Sequence, residues 1–268
     1  MTLHPRFASP RLTAIASGKG GTGKTVIAVQ LAQSLAAMGE RVLLCDADFA
    51  LSNTAVQLGL EQEGDFAGVL SGACALSDAV VPVFGGADAR SGFDLLAPPA
   101  GYGANAGSKG ASRLIAVVRA ARNYDRVLLD LSAGVDAAVM TLAASSDETI
   151  LVLTPDPASL TDAYAFAKLL LRASPSAPPE FVVNLAASDA EARRTCDAFA
   201  ATCRAFLEIV PKPLGLIPRD GRVTDAVRAQ QSVQKSFPEC PAARALAGVA
   251  ARLHGRLSPA LDLRASVR

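Results

Sequence analysis

The sequence predicts an α/β fold, a three-layer, doubly wound and mostly parallel sheet, and two observations predict it. Short apolar runs alternate with longer stretches at helical spacing. Several of the runs are apolar at every position, as strands covered on both faces require. The segment Gly18-Lys19-Gly20-Gly21-Thr22-Gly23-Lys24-Thr25 stands between the first apolar run and the first helical stretch, the context a phosphate loop needs. Right-handed crossovers place helices on both faces and gather ligand-binding residues at the carboxyl ends of the strands. A chain of 268 residues, half of them apolar, is long enough to enclose one large core.

The first strand, 12–17, is carried by Leu12-Thr13-Ala14-Ile15-Ala16, and residues 26–38 follow the glycine loop at the spacing of a buried helix. A second strand, 41–46, ends on Leu43-Leu44-Cys45-Asp46. Gly, Ala and Pro dominate 85–110, which reads as a loop interrupted by one strand at 93–97. The alternation resumes with helix 112–122, strand 126–131, strand 149–154, helix 159–172, a Pro-rich connector at 175–179, strand 180–185 and helix 190–206. Strand 213–217 and helices 223–231 and 242–256 complete the pattern. No internal repeat or second-domain boundary interrupts it. The expected organisation is a flexible arm over 1–11, one domain over 12–257 and a tail over 258–268.

Composition narrows the function classes. A net charge of +1 gives no reason to expect strong attraction to nucleic acid or anionic lipid. No apolar stretch approaches a membrane span, and the first ten residues lack the apolar core of a secretory signal, so a cytoplasmic protein is expected. The five cysteines form no C-x-x-C pair, which argues against a zinc site or a disulfide framework, and Cys45 reads as buried packing. Neither His4 nor His254 lies in a catalytic context.

The chemistry concentrates at strand ends. The glycine loop matches G-x-x-x-x-G-K-[ST]: its backbone N–H groups turn inward around phosphates, and the helix N-terminus adds the positive end of its dipole. Lys24 would meet the β- and γ-phosphates, and the Thr25 hydroxyl would ligate Mg²⁺. Asp46 and Asp48 stand two apart where a strand ends and share one side, as a nucleotide hydrolase needs near its metal and its water; two acids capping a solvated strand exit is the plain alternative. Tyr124-Asp125-Arg126-Val127-Leu128-Leu129-Asp130 is an apolar strand ending in an acid, which places Asp130 to hold Mg²⁺ through water. Gly134 follows, with a backbone N–H available to a γ-phosphate. Asn184 ends another strand and offers a donor and an acceptor to adenine, unless it is an ordinary turn residue. Ile217, Pro218 and Asp220 supply backbone and a proline wall to the same base pocket.

Lys19, at the second position of the loop, is one of only six lysines against twenty arginines. With it the loop resembles that of the deviant phosphate-loop ATPases typified by MinD and ParA, K-G-G-x-G-K-[ST]. The resemblance implies a MinD/ParA-like phosphate-loop NTPase fold, with ATP and Mg²⁺ as cofactors. It also implies a homodimer formed on ATP binding, in which Lys19 crosses to the partner's nucleotide. The continuation Asp46-Ala47-Asp48-Phe49-Ala50-Leu51-Ser52-Asn53 is similar to the first switch of the MinD and FlhG branch, and implies that Asp48 orients the lytic water while Asp46 supports metal and switch. The stretch Thr154-Pro155-Asp156-Pro157-Ala158-Ser159-Leu160-Thr161-Asp162-Ala163-Tyr164 resembles T-P-E-P-T-S-x-T-D-A-Y of FlhG, the ATPase that governs flagellar number and placement. The similarity runs from about Leu12 to Leu253.

Two departures from that branch stand out. Residues Met1 to Arg11 lack the D-Q-A activator segment through which FlhG proteins stimulate the GTPase FlhF, so an FlhF-type partner, or a basal-body or regulatory protein in its place, stays open. The stripe Leu246, Val249, Leu253 and Leu257 is read as a helix packed on the domain, with a membrane surface as the alternative. Other readings are a MinD-like division-site ATPase, a ParA-like cargo- or DNA-positioning ATPase, for which lysines are sparse, and a module that binds ATP without hydrolysing it.

Overall fold

The computed structural model describes residues 9–61, 64–87, 89, 91–99, 102–103 and 107–257. The arm over 1–8 and the tail over 258–268 therefore lie outside the described residues. The strands are β1 (Arg11–Ser17), β2 (Val42–Ala47), β3 (Val81–Val83), β4 (Phe93–Leu96), β5 (Arg126–Ala133), β6 (Glu148–Leu153), β7 (Glu180–Ala186) and β8 (Pro213–Pro218). They form one sheet in the order β3-β4-β2-β5-β1-β6-β7-β8. Every neighbouring pair is parallel except β3 and β4, which make an antiparallel edge. Arg11 is the first residue of β1 rather than the last of an arm, because its guanidinium pairs with Glu148 at the start of β6.

The helices are α1 (Lys24–Ala37), α2 (Thr54–Gln57), α3 (Phe66–Ser71), α4 (Gly107–Arg119), α5 (Ala137–Ala144), α6 (Pro157–Ala173), α7 (Asp189–Leu207), α8 (Gly221–Arg228), α9 (Val233–Ser236) and α10 (Pro241–His254). Residues of α3 to α7 pack on one face of the sheet, and residues of α1, α8, α9 and α10 on the other. The expected three-layer, doubly wound architecture is thus the observed one. Strands β1, β2 and β5 sit centrally, and β2 is buried at all six positions, which explains its unbroken apolar run.

Helix α1 is buried from Ile27 through Ala36. Its polar positions Gln30, Gln33 and Ser34 are satisfied by the α9 segment: the Ser232 hydroxyl donates to Gln30 and Gln33, the Gln234 N–H donates to Gln30, and the Gln234 amide donates to Ser34. Leu246, Val249 and Leu253 of α10 are at most 1% exposed. These three positions of the stripe are occupied by the domain core, each side chain contributing about 1.5–3 kcal/mol by its burial, while Leu257 is half-buried. No helix among the described residues is long and apolar enough to cross a membrane.

A buried ionic cluster fastens the end of α10 to the amino ends of the strands. Arg126, fully buried at the start of β5, donates to Glu40, Glu148, Thr13 and the carbonyl of Leu253. His254 meets Glu40, and Arg256 pairs with Glu148 and Glu180.

Candidate functional site

The order of the central strands builds the site. Strand β5 is inserted between β1 and β2, so its end lies beside the loop that leaves β1. In register, Asp130 pairs with Ile15 on one side and with Asp46 on the other. Parallel neighbours stand about 4.8 Å apart, so two carboxylates meet directly beneath the glycine loop.

Gly18 and Gly23 of the loop are required by contact, and Gly23 by conformation as well. A Cβ on Gly18 would lie 2.4 Å from the backbone of Asp162 in α6. Gly23 has φ +87°, and a Cβ there would strike the Asn184 amide nitrogen at 2.5 Å. Helix α1 begins immediately after it with no side-chain cap and no acidic residue in its first turn. Its first N–H groups and its dipole are therefore left for an anion, with Lys24 and Thr25 in that same turn. The Ser17 hydroxyl closes the loop's base by donating to the Lys19 carbonyl at 2.7 Å.

Asp130 is the most perturbed acid of the site. Burial, then the charge of Asp46, push its carboxyl up to about 7 from 3.8, against the opposing pull of the Thr25 hydroxyl and Lys24; Asp48 pushes it further upward. Its Oδ1 is buried without a hydrogen-bond partner. A buried carboxylate with one free oxygen, joined to a hydroxyl at a helix start, is the hard oxygen set Mg²⁺ takes when phosphates and water complete its shell. Among the described residues no group of three or more His, Cys, Asp or Glu is placed to hold a metal ion by itself. The residues therefore fit Mg²⁺ arriving with a nucleotide, held by Thr25 and Asp130.

Asp46 holds the switch turn, one half of the role expected of it. It accepts from the N–H groups of Asp48, Asn53 and Thr54 and from the Ser52 hydroxyl, at 2.9–3.1 Å. Three of these bonds fall on Oδ2 and one on Oδ1, and through them Asp46 organises the turn that displays Asp48. Asp48 accepts from the Leu51 N–H and is half-buried.

The base pocket differs from the one expected. The Asn184 amide donates to the Thr22 carbonyl at 2.8 Å, so it braces the phosphate loop rather than facing open space. Ile217 is buried in the core. The Asp220 carboxylate caps α8 through Arg222 and holds the start of α10 through Ala242. Pro218 and the strand-end backbone are left to meet a base. Asn184→Ala is accordingly expected to weaken ATP and GTP binding by the same factor, about tenfold, since the loss of a buried bond loosens the loop and not the base contact. Competition titrations against a fluorescent nucleotide measure it; a loss confined to ATP would restore the adenine-reading role.

The N–H of Gly134 donates to the Ser17 carbonyl at 2.9 Å, continuing the β1–β5 ladder. A contact from this N–H to a γ-phosphate requires that bond to open.

The fate of Lys19 was not legible in the sequence. It is about one-third exposed, and its ammonium pairs with Asp156, the N-cap of α6. That hydrogen bond, foremost among several causes, holds the Asp156 carboxyl below its usual range. Lys19 and Asp156 line a cleft of about 430 Å³ with Thr154, Leu185, Glu191 and Arg219. The only hint was Asp156's place in the Thr154–Ala163 stretch.

Residues 13–233 match the family model described as the CobQ/CobB/MinD/ParA nucleotide binding domain. The chain is 32% identical over 262 residues to the antiactivator FleN of Pseudomonas aeruginosa, covering 97% of this chain and 90% of that protein. Its fold is similar to the cell division ATPase MinD of Pyrococcus furiosus, with a TM-score of 0.76 and 24% identity over 92% of this chain and 99% of that one. It is likewise similar to the septum site-determining protein MinD of Pyrococcus horikoshii, solved complexed with Mg-ADP. There the TM-score is 0.74 and the identity 23%, over 94% of this chain and 98% of that one.

Proposed function

This chain belongs to the CobQ/CobB/MinD/ParA nucleotide-binding family, and we propose that within it the protein is a Mg²⁺-dependent ATPase whose nucleotide state decides whether two copies associate. The observation that carries the reading is the constellation at the start of α1. Lys24 and Thr25 stand on an uncapped helix N-terminus beside Asp130, whose buried oxygen has no partner. Such a site takes a triphosphate and its metal together. Mg²⁺, when bound there, would neutralise charge on the phosphate oxygens.

The chain's own groups supply the rest. The loop N–H groups and Lys24 hold the phosphates in place. Thr25 and Asp130 hold the ion. Asp48, displayed by the turn around Asp46, orients the attacking water, and positioning of this kind carries most of the catalysis in phosphoryl transfer. Lys19, about one-third exposed and paired with the surface carboxylate of Asp156, would exchange that partner for the nucleotide of a second subunit. Hydrolysis removes the γ-phosphate and returns the monomer.

The biological output we propose is FlhG-like control of flagellar number or placement. It is supported by the likeness to FleN along nearly the whole chain and by the Thr154–Ala163 stretch. The partner would be a basal-body or regulatory protein, or an FlhF-type GTPase. The test measures ATP turnover by the purified chain and by Asp48→Ala, and then counts flagella in cells carrying Asp48→Ala at the native locus. Turnover lost in the variant together with an altered flagellar count supports the reading. Normal turnover in Asp48→Ala sinks the chemistry, and an unchanged count sinks the flagellar output.

A further inference from the structure

The structure assigns Gln230 as a positioning residue that fixes residues 48–58, the first switch together with the short helix α2 and the turn that follow it, to the helix carrying Lys24 and Thr25. The inference rests on the ATPase reading above and deepens it.

The near end of this switch is fastened by Asp46, whose carboxylate holds the N–H groups of Asp48, Asn53 and Thr54. The far end, α2 and the turn after it, packs Ala55 and Leu58 into the core around α1 and takes a side-chain hydrogen bond from the segment after α8. The Gln230 side-chain amide donates to the carbonyl of Val56 at 3.2 Å. The same side chain lies over Gly59: a Cβ there would come within 2.6 Å of the Gln230 Oε1 and 2.9 Å of its amide carbon. Gly59 itself has φ +66°. The turn has thus given up its side chain where Gln230 lies against it.

Gln230 is placed by the way α8 ends. Its φ of +54° is that of the left-handed residue closing the helix, with its N–H donating to the Val227 carbonyl and the Gln231 N–H donating to the Ala226 carbonyl. On its amino side, α8 is capped by Asp220, which also holds the start of α10. On its carboxyl side, Ser232 and Gln234 are bonded to Gln30, Gln33 and Ser34 of α1. The segment carrying Gln230 is therefore an abutment built on the phosphate-loop helix. Through it, one frame supports both Lys24 and Thr25 at the start of α1 and the far end of the switch that displays Asp48. Gln230 touches no reacting atom; it acts by limiting where Asp48 stands.

The probe is Gln230→Glu in the full chain, which keeps length and volume but removes the N–H donor to Val56, with Gln230→Ala beside it. Amide hydrogen exchange is followed in the nucleotide-free chain, and kcat and KM for ATP are measured separately. In both variants exchange across 48–58 is expected to rise several-fold while α1 stays protected. The same variants are expected to lower kcat by roughly three- to tenfold, with KM within about twofold, because a displaced positioning group costs rate rather than binding. Unchanged exchange across 48–58 in both variants overturns the proposal, as does a kcat equal to that of the wild type despite faster exchange. A fall in α1 protection together with a rise in KM overturns it as well, since that pattern belongs to a merely structural residue. If the wild-type chain turns over no ATP, the ATPase reading falls on its own, and the exchange measurement alone decides whether Gln230 holds the switch.

Discussion

Asp130→Asn is expected to make the nucleotide-free chain more stable at neutral and alkaline pH while lowering Mg²⁺-dependent ATP turnover by about 100-fold or more. Both effects come from one buried carboxyl. Burial and the neighbouring Asp46 push its folded-state pKa up to about 7, whereas an unfolded chain ionises it near 3.8. Between those values the unfolded state has lost a proton that the folded state keeps. This group's contribution to the stability of the nucleotide-free chain is therefore largest below about pH 4 and declines between about pH 4 and 7, by up to about 4 kcal/mol. Asparagine carries no charge at any pH, so the variant lacks this decline. The same change removes the oxygen charge that suits the site to a divalent cation. Thermal melts from pH 5 to 8 and a Mg²⁺ titration of turnover check the pair; a variant less stable than wild type at pH 8 would contradict the assignment.

The second large effect concerns Lys19. Lys19→Ala is expected to abolish association of two ATP-bound chains while leaving ATP binding within a few-fold, because Lys24, Thr25 and the loop N–H groups stay in place. Asp156→Asn is expected to act in the opposite direction. Asparagine can still cap α6 through the N–H of Ala158, which Asp156 now accepts, but it no longer holds an ammonium by charge. Released from its own subunit, Lys19 reaches the partner more readily, and the ATP-bound dimer should tighten by roughly three- to tenfold, the order expected of a partly exposed ion pair. Sedimentation velocity across a concentration series reads both. A dimer weakened by Asp156→Asn would show that the carboxylate belongs to the interface rather than restraining Lys19.

The sheet was legible because its central strands are buried on both faces and therefore apolar without interruption. Residues 126–131 and 180–185 match β5 and β7 to within two residues. The misses have physical causes. Strand β3 has three residues with Pro82 in the middle, a composition tolerated only at an edge. Helix α4 begins at Gly107, inside a stretch whose glycines and serine read as loop, and its amphipathic pattern is clear only further along. Helices α2, α3 and α9 are too short to show a helical period.

The phosphate loop and Asp130 were legible for a different reason: a glycine loop and a strand-end acid do their work through local backbone geometry. The hydrogen bonds of Asn184, Asp220 and Asp46 were not foreseeable. Asn184 bonds 162 positions away, to Thr22, and nothing in Phe181-Val182-Val183-Asn184 announces that partner. Lys19 and Asp156, 137 positions apart, meet only because β6 lies beside β1. Side chains that act across the fold are visible only once the strand order is known.

The most direct test of the nucleotide-driven dimer is the solution mass of Asp48→Ala protein with ADP and with MgATP, measured beside the Lys19→Ala, Asp48→Ala double variant. Removing Asp48 stops hydrolysis from emptying the ATP state during the measurement. A monomer with ADP, a dimer with MgATP, and a monomer in both when Lys19 is also removed are the expected masses. A mass unaffected by nucleotide in the Asp48→Ala protein would contradict the switch, leaving a phosphate-loop protein that binds its nucleotide for another purpose.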